Sequence, residues 1–407
     1  MPIIATFLAG KALTPLAVIF VFGVLIFVHE LGHFILAKRN GVKVEVFSLG
    51  MGPKLVGVML GETSYRISGI PFGGYVKMSG EQEDEEPGGA GPYPAHDFRA
   101  KSPGQRARIV FAGAAVNYLL GLILFCITPM LGYEALLPRV GGFTEDSAAR
   151  EAGLLVGDLI TAVDGRPVRY FTELQEIVQK SRGEDMQLLV ERDGEELTFV
   201  IAPTRRGAVD DLEKLEYGDQ GPLLLGVHIP AYEEGNTVFV KASPGESVVD
   251  GVKRTLAISR LTFVTVWKLI SGQLSLRNAA SGPVGIAAMT GEAAKAGLPT
   301  LLQMMAFISV SLAIFNLLPV PVLDGGMLVF LVIEALRRRP VSRNAQLHAQ
   351  RVGLAFLLCL FAFITFHDLR RLADTRGWFG SGEPAASSEA VEDAGESGEA
   401  PAYEADE

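Results

Sequence analysis

A helical membrane protein of four transmembrane helices, with a membrane-associated β-hairpin element after the first and an α+β domain inserted after the second, is the fold the sequence predicts. Three observations predict it. Apolar runs recur at 13–37, 109–131, 301–336 and 347–366, each near or above the roughly 20 residues needed to cross a hydrocarbon core of about 30 Å. Between the second and third runs the composition turns soluble. Residues 43–78 lack helical periodicity and read instead as β-type runs broken by glycines.

The balance of charge narrows the class. The net charge is −10, but residues 380–407 hold nine acidic residues and no Lys or Arg, which leaves 36 basic against 37 acidic residues in the body. A body so near neutrality gives no reason to expect nucleic acid as a partner. With 49% hydrophobic residues and a mean hydropathy of +0.30, the chain is expected to have the lipid bilayer as its main surroundings. Cys126 and Cys359 both fall in apolar runs, where a free thiol behaves as a small hydrophobe and says nothing of redox compartment.

The first span, within 1–42, carries His29, Glu30 and His33 in the order His-Glu-Leu-Gly-His. A charge near mid-bilayer costs about 2.5–3.5 kcal/mol on insertion scales, so ionisable groups there need a partner or a cavity. Histidines four apart share one helix face, where two imidazole nitrogens reach one zinc ion. Glu30 then stands beside the metal but off the ligand axis, as a carboxylate acting as base requires. The competing reading makes the two histidines interior polar residues bonded to neighbouring helices. Lys38, Arg39 and Lys43 mark the cytoplasmic end and put the N-terminus outside.

In the β element, 43–80, the runs 63–67 and 75–78 could present an open strand edge to an extended peptide, with Tyr65 and Ile67 among the contacts. A plain cytoplasmic hairpin fits the pattern equally. The linker 81–108 is acidic and rich in Gly and Pro up to residue 98, then basic, so 109–131 crosses from inside to outside. Asn117 within that span most simply bonds a neighbouring helix.

Residues 138–203 read as a folded soluble domain, and Ala152 through Gly165, with its Gly157-Asp158-Leu159-Ile160 core, resembles a PDZ domain. Such domains bind extended peptides by strand addition; a rigid plug screening the membrane site from large proteins is the other use. In 204–300, an extracytoplasmic linker, the stretch 248–270 carries Lys253, Arg254, Arg260 and Lys268 on an apolar helical pattern. It is expected to lie on the outer membrane surface or against the soluble domain.

The run 301–336 would make a helix of about 50 Å, too long for one crossing. Pro319, Pro321, Gly325 and Gly326 mark an interruption, with Asp324 the carboxylate in its middle. Asp324 can be a helix N-cap for the segment starting at Gly325, a third zinc ligand, or both at once; as a ligand it completes a set of two histidines and a carboxylate with a fourth position open for water. Arg337, Arg338, Arg339 and Arg343 place this end at the cytoplasmic side, level with Glu30. The last span, 347–366, returns outside, although Arg370, Arg371 and Arg376 run against the charge rule. A tail at 380–407, rich in Ala, Ser, Gly and Glu, is expected to be disordered.

The motifs together resemble the site-2 protease family, in its bacterial branch with PDZ domains: His29 to His33, Gly50-Met51-Gly52-Pro53-Lys54, Phe72-Gly73-Gly74-Tyr75-Val76-Lys77-Met78, the PDZ-like core, Ser281-Gly282-Pro283-Val284-Gly285-Ile286, and Asn316 through Gly326. The resemblance covers nearly the whole chain to about residue 373. It implies an intramembrane metalloprotease of the bacterial inner membrane in which His29, His33 and Asp324 bind Zn2+ and Glu30 is the acid and base. It also implies that 62–78 dips into the membrane and pairs with an unwound substrate helix, and that Asn316 steadies the substrate backbone. Implied substrates are single-span membrane proteins such as anti-sigma factors, and remnant signal peptides. Two departures stand out: Met327 where the family usually has His, and Gly113-Ala114 where it usually has Gly-Pro. The rival reading, a catalytically silent PDZ-bearing adaptor, would not need the intact His-Glu-x-x-His and Asp324.

Overall fold

The computed structural model describes residues 2–81, 93–144, 146–205, 221–229, 235–274 and 282–375. The acidic stretch 82–92 and the tail 380–407 lie outside them. Among the described residues four helices are long and apolar enough to cross a bilayer, at Leu13–Arg39, Pro103–Leu131, Leu298–Asn316 and Arg343–Arg370. The protein is an integral membrane protein.

The first helix, α1 (Pro2–Arg39), ends on Lys38 and Arg39. The second, α2 (Pro103–Leu131), starts where Ser102 accepts the Gln105 N–H and Gln105 reciprocates to the Ser102 N–H, with Pro103 needing no donor in the first turn. Helix α2 is the hub of the membrane part. Gly32 of α1 lets α2 approach until a Cβ there would lie 2.5 Å from the Ala112 carbonyl. Gly121 does the same toward Val310. Without a hydrophobic drive between helices in lipid, such small-residue crossings supply the close packing. Val21, Leu25, Phe125, Ala306 and Val310 are buried between the three helices.

The β element comprises β1 (Val44–Leu60) and β2 (Thr63–Met78). Both are bent, and each half finds its own partner. Residues 54–60 pair with 63–68 across the turn at Gly61, and 44–49 pair antiparallel with 74–78. Val46, Phe47, Ser48 and Leu49 also lie beside Ser64, Tyr65, Arg66 and Ile67, both numberings rising together. The run 63–67 is therefore an inner strand, partnered on both sides. This corrects the expectation of an open edge there: two short β-type runs do not reveal that the strand before them returns between them. Among the described residues the outer strands are 54–60 and 74–78, and the one beside Glu30 is 74–78. Phe47 and Tyr65 stack against Phe34 of α1, with ring centroids 5.1 and 5.8 Å away, which seats the sheet on the first helix.

The soluble domain follows through β3 (Tyr133–Leu136), β4 (Gly142–Phe143), α3 (Ala148–Glu151), β5 (Leu159–Val163), β6 (Arg166–Pro167), α4 (Phe171–Lys180), β7 (Met186–Arg192), β8 (Glu195–Ile201) and β9 (Thr204–Arg205). Its sheet has the order β6-β5-β7-β8, antiparallel throughout. Asp193 and Gly194, both at positive φ, make the tight turn between β7 and β8. Leu174 and Val178, one helical turn apart on α4, pack with Ile160, Val163, Leu188 and Val190. The core continues past 203: β10 (Leu223–Leu224) pairs with β9, β11 (Val227–His228) pairs with β4, and Leu225 is buried. Two-residue strands carry no readable periodicity, which is why the pattern ends at 203 and the domain does not.

After β12 (Thr237–Val240), paired with β3, comes α5 (Pro244–Ile270). It starts four residues before the apolar pattern because Ser243 and Glu246 form a capping box. It does not stand apart on a surface. It runs along α2 in the opposite direction, Gly251 against Cys126 and the Ser259 hydroxyl 3.0 Å from that of Tyr118. The remaining helices are α6 (Pro283–Lys295), α7 (Leu298–Asn316), α8 (Asp324–Arg337) and α9 (Arg343–Thr375). The long apolar run is thus two helices, α7 and α8, broken at 317–323.

Candidate metal centre

His29 and His33 project from one face of α1 with their Nε2 atoms 3.2 Å apart. Nδ1 of His33 donates to the Ile109 carbonyl of α2 at 2.9 Å. That bond keeps the proton on Nδ1 and leaves Nε2 as a lone-pair donor. The Asn316 amide, at the end of α7, is 3.5 Å from Nδ1 of His29.

Asp324 completes the cluster from the far end of the chain. Gly325 and Gly326 fold so tightly onto the preceding loop that a Cβ on either would lie 2.2–2.3 Å from the Leu318 or Val320 carbonyl. This compact break sets the first residue of α8 beside α1. The helix is capped by Leu323, and Asp324 is its first residue rather than its N-cap. Its Oδ2 lies 3.3 Å from His29 Nε2 and 3.5 Å from His33 Nε2. Ligands held about 2.0–2.1 Å from a tetrahedral zinc lie about 3.3–3.4 Å from one another, so the three edges of this triangle fit that ion. A second sign agrees: Asp324 Oδ2 is buried with no hydrogen-bond partner, a costly state for a carboxylate oxygen unless a cation answers it.

Glu30 lies between that triangle and β2, with His33, His29 and Asp324 all within electrostatic reach of its carboxylate. A Cβ on Gly74 would lie 3.3 Å from Glu30 Cγ, and the Val76 N–H is within hydrogen-bonding reach of the Glu30 carboxylate. Two residues along, the Met78 N–H reaches the Glu81 carboxylate at 3.4 Å. The free edge of 74–78 therefore borders Glu30 directly.

Tyr65 and Ile67 are not at the triangle. They line an apolar recess of about 470 Å³ with Phe27, Phe47, Leu49 and Val58, on a strand whose main chain is already paired. The sequence does not assign three further residues to the centre. Gly113 closes on both imidazoles, and a Cβ there would lie 2.3 Å from His33 Nε2 and 2.7 Å from His29 Cε1. Ile109 contributes only its carbonyl. Glu81 carries a carboxyl that burial pushes up, within electrostatic reach of His33, Glu30 and Asp324; its position at the edge of an acidic stretch hides it among solvated charges.

The chain matches the family model described as Peptidase family M50 over residues 17–360. It is 35% identical over 364 residues to a chain of Agrobacterium fabrum whose name carries the words zinc metalloprotease, covering 87% of this chain and 95% of that one. With the zinc metalloprotease RasP of Geobacillus kaustophilus it shares 31% identity over 428 residues, covering 87% and 97% of the two chains. With the regulator of sigma-W protease RasP of Bacillus subtilis it shares 30% over 435 residues, covering 88% and 99%.

Proposed function

Because the chain belongs to peptidase family M50, we infer that His29, His33 and Asp324 hold a zinc ion and that Glu30 is the acid and base beside it. The protein is an intramembrane zinc metalloprotease of regulated intramembrane proteolysis. The observation that carries the residue assignment is the triangle of two Nε2 atoms and one buried, unbonded Oδ2 with edges of 3.2, 3.3 and 3.5 Å.

Bound zinc supplies Lewis-acid chemistry, polarising a carbonyl and making a water more acidic. Glu30 takes a proton from the attacking water as its oxygen bonds to the scissile carbon, then delivers that proton to the nitrogen as the C–N bond breaks. The Ile109 carbonyl holds His33 in the required tautomer. Asn316, beside His29, orients that ring or a substrate carbonyl.

A transmembrane helix hides its carbonyls in its own hydrogen bonds, so the cut segment must be extended and its freed groups bonded again. A substrate strand laid along the outer edge of 74–78 would take over the Val76 and Met78 donors now turned to Glu30 and Glu81, and strand addition accepts many side-chain sequences. Substrates are accordingly single-span membrane proteins whose helices unwind easily, anti-sigma factors and remnant signal peptides among them. The fold around β5, α4, β7 and β8 supports a PDZ-type domain, which either takes an extended peptide by strand addition or screens the membrane site from large proteins. Basic flanks support four spans in the bacterial inner membrane, with this domain and both termini outside. A catalytically silent adaptor would have no use for the buried triangle. Metal analysis with cleavage of a single-span reporter tests the assignment: wild type and Glu30→Gln hold one zinc and His33→Ala none, while wild type alone cleaves. A Glu30→Gln protein that cleaves normally overturns it.

A further inference from the structure

The triangle joins residues on two helices that are not continuous with each other. Its histidines sit on α1 and are steadied by α2, through the Ile109 carbonyl and the close face of Gly113. Its carboxylate starts α8, where the compact break at 317–323 fixes the head of that helix but not the lie of its remaining turns. The lie of α8 against α2 along its length is then set by contacts between those two helices.

One charged contact spans them. Arg106, in the first turn of α2, donates through Nη2 to Glu334 of α8, and its Nε donates to the Lys101 carbonyl at 3.1 Å. Both side chains are largely withdrawn from solvent, with 13% and 15% of their surface exposed. Arg106 lies one turn before Ile109 and two turns before Gly113 on α2. Glu334 lies ten residues after Asp324 on α8, about 15 Å along the same rigid rod. Leu331, Met327 and Leu328 pack between them with Ile109 and Val110. Apolar packing tolerates sliding, whereas a buried pair of opposite charges holds a single register.

We propose that Arg106 and Glu334 are a positioning pair that fixes α8 against α2, and so sets the distance from Asp324 to His29 and His33 on which zinc affinity depends. The pair touches neither metal nor substrate. Remote partners of this kind act on metal affinity by the tilt of the element that carries the ligand. The proposal rests on the assignment of the triangle as a zinc site.

The test is the zinc dissociation constant of the purified full-length protein in detergent, measured by competition with a chromogenic chelator. Compared are wild type, Glu334→Gln, Glu334→Ala, Arg106→Gln, and the double swap of Arg106→Glu with Glu334→Arg. The single variants should bind zinc about tenfold more weakly, the low end of what partners bonded directly to a ligand cost, and recover cleavage when zinc is raised to saturation. The swap should return affinity to within a few-fold of wild type. Wild-type protein that binds no zinc refutes the metal centre itself. If wild type binds and the single variants bind equally well, the positioning pair is refuted and the metal centre stands. A swap as weak as the single variants also refutes it, because the loss then reflects damaged packing. The neutral, isosteric Glu334→Gln provides the reading should Glu334→Ala fail to accumulate.

Discussion

Gly113 of α2 lies so close to His33 of α1 that a Cβ atom on it would stand 2.3 Å from the imidazole Nε2. Gly113→Ala should therefore displace the ring and weaken zinc binding about 10–100-fold, the usual cost of disturbing a residue that orients a ligand. Gly121→Ala, eight residues along the same helix, crowds Val310 and not the histidines. It should lower stability and leave zinc affinity unchanged. Equal zinc affinity in the Gly113 variant and wild type would remove the glycine from the metal centre.

The free strand edge can be tested by removing one donor. Proline has no N–H, so Val76→Pro should lower cleavage of a helical substrate about a hundredfold while zinc content stays normal. Because that N–H also reaches Glu30, a short pre-extended substrate is the control, and its cleavage should fall far less if the edge is what was lost. Proline at Ile70, which pairs with Met51 at the bend of β2, is the comparison for damage to the sheet. Cleavage that survives Val76→Pro would end the role of this edge in substrate binding.

Membrane orientation has a direct readout. Reporters fused after Lys43 or Arg339 should register cytoplasm, and one inserted at 180–185, beyond α4, should register the outside. A cytoplasmic signal from 180–185 would invert the orientation and move the metal centre to the opposite face.

In the soluble domain, Arg192 Nε donates to Asp158 Oδ1 and its Nη2 to Oδ2, both at 2.7 Å, and the Leu155 N–H reaches Oδ2 at 2.8 Å. Burial alone would push the Asp158 carboxyl up, but these bonds outweigh it and hold it below the usual carboxylate range. A lowered folded-state pKa means stability that is fully present above the unfolded value of about 3.9 and is lost as pH falls through the folded one. Asp158→Asn should thus lower the domain's unfolding midpoint at neutral pH by about 5 °C, the shift that ~1 kcal/mol produces in a domain of this size. The gap to wild type should close in acid. A gap that persists below both values would show that the pair stabilises through shape rather than charge.

What could be read without coordinates follows from the range over which each constraint acts. The i, i+4 spacing of His29 and His33 puts them on one helix face by local geometry alone. The prolines around Asp324 show a break because a missing N–H and a fixed φ are properties of single residues. Tertiary choices leave no such trace. Nothing in residues 44–49 announces that they insert between 63–67 and 74–78. Nothing in Ile109 marks its carbonyl as the acceptor for an imidazole 76 positions earlier. Gly113 reads as one more small residue in an apolar helix until α1 is laid against it, and Leu223 to His228 return to the soluble core as pairs too short to carry a pattern.

The placement of Asp324 at the head of a separate late helix has a consequence for the life of the protein. Translation proceeds from the end that carries the histidines, and the carboxylate emerges about 290 residues later, roughly 15–60 s at bacterial elongation rates of about 5–20 residues per second. With the ligand set proposed above, the nascent chain throughout that interval owns Glu30 but only two of three ligands, so a hydrolase that acts inside the bilayer would be inert while it is still threading through the insertion machinery among other unfinished helices. Ribosome-stalled chains ending before residue 300 should hold zinc no better than an isolated histidine pair, and competence should appear only once α8 has been delivered.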